Sequence, residues 1–165
     1  MDTKVIMAKK GKVCCPRLKK RDWEKRTWKW DDKKFYKKHY FSIFHMPINL
    51  GSVLTKSCEM LSQKRLLPRG DPIMLCRNEN FWGGDIYIEV VRDSKSVPLE
   101  GISGKFITKL FEGQYKEARM WLMAMNAWCK AKGYDVEEIM AFYGTCPKCT
   151  KKYGSAQTVL FAKIE

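Results

Sequence analysis

"KLFEGQYKEARMW", residues 109–121, begins as an apolar strand and ends as an apolar helix, with Glu112, Gly113, Gln114 and Tyr115 at the joint. An acid, a glycine and a tyrosine at such a joint fit two uses. They are plain turn chemistry, or they form the rim of a pocket. Downstream, Ala118, Trp121, Leu122, Met125 and Cys129 fall on one helical stripe, and Gly133 is placed to end that helix. Upstream, "KFITKLFEGQY" (105–115) reads as a strand.

The rest of the chain falls into a similar order. "FYKKHYFSIFHMPI" (35–48) reads as a strand, dense in aromatics from Tyr40, with Pro47 ending the pairing. Ser52 offers an N-cap for a helix whose stripe is Val53, Leu54, Ser57, Cys58 and Leu61. "IMLC" (73–76) reads as a short buried strand and "NENFWGG" (78–84) as a turn. "DIYIEVV" (85–91) alternates, with Ile86, Ile88 and Val90 on one face and Asp85, Tyr87 and Glu89 on the other. Residues 92–104, with Pro98, Gly101 and Gly104, read as a linker. After the second helix come a strand (138–144), a turn-rich loop "TCPKCTKKYG" (145–154) and a last strand (158–164).

Strand–helix–strand–strand thus occurs twice. "FHMPI" (44–48) lies over "FEGQY" (111–115), "PIML" (72–75) over "EIMA" (138–141), and "DIYIEVV" over "TVLFAKI". Near-constant offsets predict an α+β fold: a duplicated β-α-β-β with pseudo-two-fold symmetry, an antiparallel sheet and two long helices around a central groove. The expected boundaries are a basic, Trp-containing N-terminal segment (1–34) and one domain (35–165) made of repeats 38–93 and 104–165. His45 and Glu112 occupy matched positions in the two repeats.

A chain of 165 residues can bury a core without covalent staples. The net charge is +14, but residues 1–38 hold 15 Lys/Arg against 5 Asp/Glu, leaving 17 and 13 for the remainder. The basicity therefore belongs mostly to the N-terminal segment, where Lys9, Lys10, Lys12, Lys19, Lys20 and Arg21 fit phosphate contacts or simple solvation. Trp23, Trp28 and Trp30 argue against a wholly disordered arm there, and an irregular segment packing its rings onto the domain is expected. The seven cysteines are odd in number, and Met1-Asp2-Thr3-Lys4 leads into lysines rather than an apolar run, so no secretion signal is expected. No stretch approaches the roughly 18 apolar residues of a membrane span. A reducing cytoplasm is the expected location. Gly-rich phosphate loops, HExxH and GxSxG are absent from the sequence, and no helix-turn-helix is visible.

"GKFITKLFEGQYKEARMWLMAMNAW" (104–128), "IMAFYGTCP" (139–147) and the terminal strand resemble the GyrI-like small-molecule-binding domain, also known as the bacterial effector-binding domain. "DIYIEVV" resembles that family's last strand. Cys14-Cys15-Pro16 and "CPKCTKKYG" (146–154) are similar to motifs of a stand-alone GyrI-like subgroup often labelled as hydrolases. The resemblance covers residues 38–165. It implies a groove for small, often aromatic or cationic molecules, and for some members hydrolysis of cyclopropane-bearing alkylators. Where cation-binding members carry a Glu, this chain has Ala141, so a carboxylate would have to come from Glu112 or Glu89.

Glu112 is the candidate general acid/base, set among Phe111, Tyr115 and Trp82, with Tyr115 or Tyr143 as hydroxyl partner. A solvated turn residue is the alternative. His45, Trp82, Tyr87, Glu89, Phe111 and Trp121 are candidate ligand contacts. Against that, Trp121 also reads as core, His45 as a hydrogen-bonded structural residue, and the Glu89 face as solvent. Cys146 and Cys149 have the spacing of half a zinc site, with Cys14 and Cys15 as suppliers of the rest, although adjacent cysteines rarely share one ion. Unmetallated thiols are the alternative. A redox pair fits less well, because the motif reads as a loop rather than the start of a helix. The sequence thus points to a small-molecule ligand with a possible structural zinc, and to nucleic acid as the rival partner. It does not fix the oligomeric state.

Overall fold

A computed structural model describes residues 15–44 and 46–165, so two expected site residues, Cys14 and His45, lie outside the described residues. The elements in chain order are α1 (Lys20–Trp23), β1 (Arg26–Ile43), β2 (Met46–Pro47), α2 (Leu50–Gln63), β3 (Met74–Asn80), β4 (Gly83–Glu89) and β5 (Leu99–Gly113). A 3-10 turn (Tyr115–Glu117), α3 (Ala118–Ala131), β6 (Val136–Tyr143), α4 (Pro147–Tyr153) and β7 (Ala156–Ile164) follow. The fold is α+β with antiparallel strand pairing. None of the described helices is long and apolar enough to cross a membrane.

The chain packs as two compact units, residues 32–102 and residues 15–31 with 103–165; β1 and β5 each carry the backbone from one to the other. In the first unit β1 pairs with β2 and β4, and β4 with β3. Ile86, Tyr87 and Ile88 are all buried, so both faces of β4 are covered. Helix α2 buries Ser57, Cys58 and Leu61, three members of the stripe read from the sequence.

In the second unit β7 lies between β5 and β6, with Ile107 opposite Ala162 and Ile139 opposite the same residue. From Ala156 to Ala162 every residue of β7 is buried. A strand apolar on both faces needs two covers. Helix α3 supplies one, setting Trp121, Met125 and Cys129 against Ile107, Ala141, Leu160 and Ala162. Residues 15–31 supply the other. Trp23 meets Phe142 edge-on at 5.5 Å, Trp28 and Trp30 lie 6.1 and 5.7 Å from Phe161, and Trp30 is 4.7 Å from Phe106. Thr108, fully buried beneath these rings, accepts from Trp28 Nε1 (3.1 Å) and donates to the Trp23 carbonyl (2.6 Å). Gln157 grips Leu18 from both sides: its Oε1 accepts from Leu18 N at 2.7 Å and its Nε2 donates to Leu18 O at 3.2 Å.

Local expectations change at several points. The described part of the basic segment, residues 15–34, is not irregular: α1 lies within it, and β1 starts at Arg26, where Trp28 and Trp30 already show the period of a strand. The stretch 78–84 is not all turn, because β3 runs to Asn80 and β4 starts at Gly83, and Pro47 does not end the pairing but lies in β2 opposite Ser42. The stretch 92–104 is not all linker, because β5 begins at Leu99. Gly101 and Gly104 lie inside that strand, where a Cβ would collide with the side chains of Asp32 and Lys163, respectively. Residues 147–153 form α4 rather than loop, with Cys146 as N-cap, Pro147 in the first turn and Gly154 (φ +79°) past the end.

Glu24 fastens the cover to the sheet edge. Its Oε1 accepts from Lys109 Nζ at 2.9 Å and its Oε2 from the Leu110 N–H at 3.1 Å. Burial alone would raise this carboxyl, but the Lys109 and Leu110 hydrogen bonds and the Lys109 charge hold it below its ordinary value. A depressed folded-state pKa stabilises above the unfolded value and is lost as pH falls through the folded one. Glu24→Gln is therefore expected to cost about 1–2 kcal/mol at neutral pH. In urea unfolding, the gap between wild type and variant should close below the ordinary carboxylate range.

Candidate functional site

The joint at the end of β5 is built around Gly113. Its φ of +156° suits glycine, and a Cβ there would collide with Glu117 Oε2 and lie 3.3 Å from the Trp121 ring. The missing side chain lets Glu117 accept from Gln114 N at 2.5 Å while the Gln114 side chain accepts in return from the third residue of the turn. This capping box starts the helix that carries Trp121. Gln114 also donates through Nε2 to the Gly154 carbonyl at 3.0 Å. The joint is therefore turn chemistry, and it sets the position of Tyr115.

Tyr115 lies 6.1 Å from Tyr143, edge to face, and donates its hydroxyl to the Thr145 carbonyl. Burial raises its phenol above the ordinary value, a hydrogen bond involving Thr150 opposes this, and Cys146, Cys15 and Cys149 add to the rise. Phe111 stacks on Trp121 at 6.2 Å. Phe111 and Tyr143 are the cross-strand neighbours of Thr158 on either side, so the three side chains share one face of the sheet. Thr158 is 1% exposed, and among the described residues its Oγ1 is the buried side-chain polar atom with no hydrogen-bond partner. Such an atom calls for an explanation. Of four expected site residues, Phe111 and Tyr143 thus flank a hydroxyl that no sequence pattern singles out, and Trp121 and Tyr115 pack on those two rings.

Glu112 leaves β5 on the opposite face, as strand alternation requires. Its surroundings are not the rings expected to desolvate it. The side chain is 49% exposed, ion-paired with Arg17 Nη2, and accepts from Ser155 Oγ at 2.9 Å. Arg17 also donates to the Ser155 carbonyl at 3.3 Å and stacks over the Tyr153 ring at 4.6 Å. Arg17 and Ser155 carry no motif of their own and lie 95 and 43 residues from Glu112, so only the fold reveals the trio.

A second cluster adjoins Tyr115. The sulfurs of Cys15, Cys146 and Cys149 lie within 4.8 Å of one another and can hold a metal ion. The Cys146 N–H points at Cys15 Sγ (3.3 Å) and the Cys149 N–H at Cys146 Sγ (3.4 Å). Tyr153 donates its hydroxyl to the Cys15 carbonyl at 2.7 Å. The pair Cys146/Cys149 does open a helix, contrary to the reading that placed it in a loop. Cys58, Cys76 and Cys129 are buried apart from this cluster, and burial pushes their thiols up, to about 12 for Cys58.

The remaining candidates belong to the first unit. Trp82 is 67% exposed at the β3–β4 turn, edge-on to Phe81 at 4.7 Å. Tyr87 is fully buried and donates to Glu100 at 3.2 Å, with Lys37 and Arg77 over its ring. Glu89 accepts from Ile73 N at 2.9 Å and pairs with Lys33 at 2.8 Å. Its face is lined by paired charges. Of the basic residues suited to phosphate contacts, Lys19, Lys20 and Arg21 are exposed, while Lys9, Lys10 and Lys12 lie outside the described residues.

Gly113→Ala is expected to lower stability by about 2 kcal/mol, the combined effect of strained backbone and a lost cap. The substitution should also loosen the Phe111–Trp121 stack, read as a change in near-ultraviolet circular dichroism. A control at exposed Gly133, where a Cβ meets nothing, tests the backbone contribution alone.

The profile of the family described as "Bacterial hydrolase" matches residues 5–164. No curated protein matches the chain. Among solved structures, the chain is similar to SAV2435 bound to tetraphenylphosphonium, at 11% sequence identity over 86% of this chain and 94% of that one, with a TM-score of 0.45. Since the family profile spans both units and every element described above, this chain belongs to the bacterial hydrolase family.

Proposed function

We propose that the protein binds a small hydrophobic or aromatic molecule and hydrolyses it. The observation that carries the binding half is the buried Thr158 hydroxyl without a partner, flanked by Phe111 and Tyr143 in a region rich in aromatic rings. A mostly apolar site with one or two polar atoms is the usual pattern for a small-molecule pocket. The hydrolytic half is supported by the family description. The GyrI-like reading of the sequence, with its two β-α-β-β repeats, is supported by the order strand, helix, strand, strand in the first unit and by the same order in the second with α4 inserted between its last two strands.

A strained electrophile such as a cyclopropanoid is the substrate class proposed, with Tyr115 or Tyr143 as the hydroxyl beside it; Glu112, whose side chain leaves β5 on the other face, orients the attacking water only for a substrate that reaches round the strand end at Gly113. Half-exposure leaves Glu112 open to water, and Arg17 and Ser155 fix its direction. Zinc is the ion we infer for the Cys15, Cys146 and Cys149 cluster, because three thiolate donors suit it better than oxygen-seeking cations.

Replacement of Glu112 by Gln should lower turnover of a cyclopropane-bearing alkylator by about 100-fold or more, the range for a general base, while quenching of tryptophan fluorescence by the bound molecule persists. Unchanged turnover removes Glu112 from the mechanism. Thr158→Val should instead weaken binding, and equal affinity in the two proteins would remove the ring cluster as the site.

A further inference from the structure

Three sulfurs within 4.8 Å of one another come from two distant parts of the chain: Cys146 and Cys149 at the head of α4, and Cys15 at the start of the tryptophan cover. A zinc ion with bonds of about 2.3 Å to tetrahedral sulfurs holds them roughly 3.8 Å apart. Small side-chain movements therefore suffice to load this cluster. Backbone N–H groups of Cys146 and Cys149 point at Cys15 Sγ and Cys146 Sγ, which fixes where those two sulfurs lie. Cys146 is also the N-cap of α4, so its sulfur is placed by the helix start and not by a mobile loop.

The neighbours of Cys15 show what an ion there would control. Two residues on, Arg17 reaches Glu112, Ser155 and the Tyr153 ring. Three residues on, Leu18 is held by Gln157. Beyond them Trp23, Trp28 and Trp30 cover the sheet. Fixing Cys15 to α4 pins the first residue of this run. Tyr115 adjoins the cluster and is tied to Thr145, next in sequence to Cys146.

Resting on the zinc reading above, we propose that Cys15, Cys146 and Cys149 form a three-thiolate zinc clasp. It fastens residues 15–31 onto the sheet and leaves its fourth position, beside Tyr115, to a donor other than cysteine. A disulfide would join two of the sulfurs and leave the third over; one ion uses all three. Three protein ligands with one open position is also how zinc is held where a water or small oxygen donor completes the tetrahedron. The clasp thereby supplies a binding position for such a donor next to the strand–turn–helix joint.

The test uses the full chain, reduced and loaded with zinc or with cobalt(II) as a spectroscopic stand-in. The expected result is about one zinc per chain by elemental analysis. Cys15→Ser, Cys146→Ser and Cys149→Ser should each weaken zinc binding by more than about 100-fold, whereas Cys14→Ser leaves it unchanged. The cobalt charge-transfer band should report three thiolates in wild type and in Cys14→Ser alike. Removing the ion from wild type with a chelator should raise acrylamide quenching of the tryptophans and amide exchange in residues 15–31, both reversed by zinc. If reduced wild-type protein takes up no zinc, the zinc reading itself fails. Zinc bound with a four-thiolate spectrum that needs Cys14 overturns the open position. Unchanged quenching and exchange on chelation overturn the clasp. Folding of the serine variants is checked by circular dichroism, and the chelation experiment stands without them.

Discussion

A strand buried on both faces cannot be left with one cover. β7 is such a strand, and the second unit is organised around it. From Ala156 to Ala162 it offers no solvent-facing side. Helix α3 closes one face with the stripe Trp121, Met125 and Cys129. The other face is closed by residues that lie more than eighty positions earlier, and their tryptophans do the covering. The basic charge of that segment is incidental to this task. Its lysines point outward, as period-two alternation from Trp28 to Trp30 allows, while the rings face in.

The same demand arranges the chemistry. Placing residues 15–31 on the sheet brings Arg17 to Glu112 and Cys15 to Cys146 and Cys149. The face bearing α3 gathers Phe111, Trp121, Tyr115 and Tyr143. Glu112 with Arg17 and Ser155 leaves the sheet on one face, and the rings around an unpartnered hydroxyl lie on the other, with Tyr115 of the ring group also adjoining the sulfur ligands. Gly113 is where they come closest in sequence, between Glu112 of the first and the turn that leads to Tyr115 of the second.

How much of this was legible in the sequence depends on range. Helix α3 and its glycine stop at Gly133 are local patterns and read correctly from periodicity, apart from Leu122, which the stripe included and the structure leaves exposed; the alternation of β4 did not carry over to burial, because Tyr87 on its polar face is covered as well. α4 was missed because seven lysine-rich residues show no apolar stripe, although Pro147 and Gly154 are its ordinary start and stop signals. The starts of β1 and β5 were missed for a related reason. Lysines and glycines read as breakers, yet in β5 the glycines are needed because Asp32 and Lys163 pass where a Cβ would be. Of the site, the cysteine motif and the aromatic residues were legible by type. The Arg17–Glu112–Ser155 trio was not, nor was the Thr158 hydroxyl, since each depends on contacts made only after the strands pair.

The interleaving of the second unit bears on the order in which the protein is made. Residues 15–31 leave the ribosome early, but the strands they cover, β6 and β7, are completed only at residue 164. Until then the three tryptophans have β5 but lack Phe142 and Phe161, and the pairing they await spans most of the chain. Contacts of such separation slow folding, and unsatisfied rings on a nascent chain invite wrong partners. The cover is thus synthesised long before the strands that complete its docking surface, which makes the closing strand the event that commits this unit to its native form.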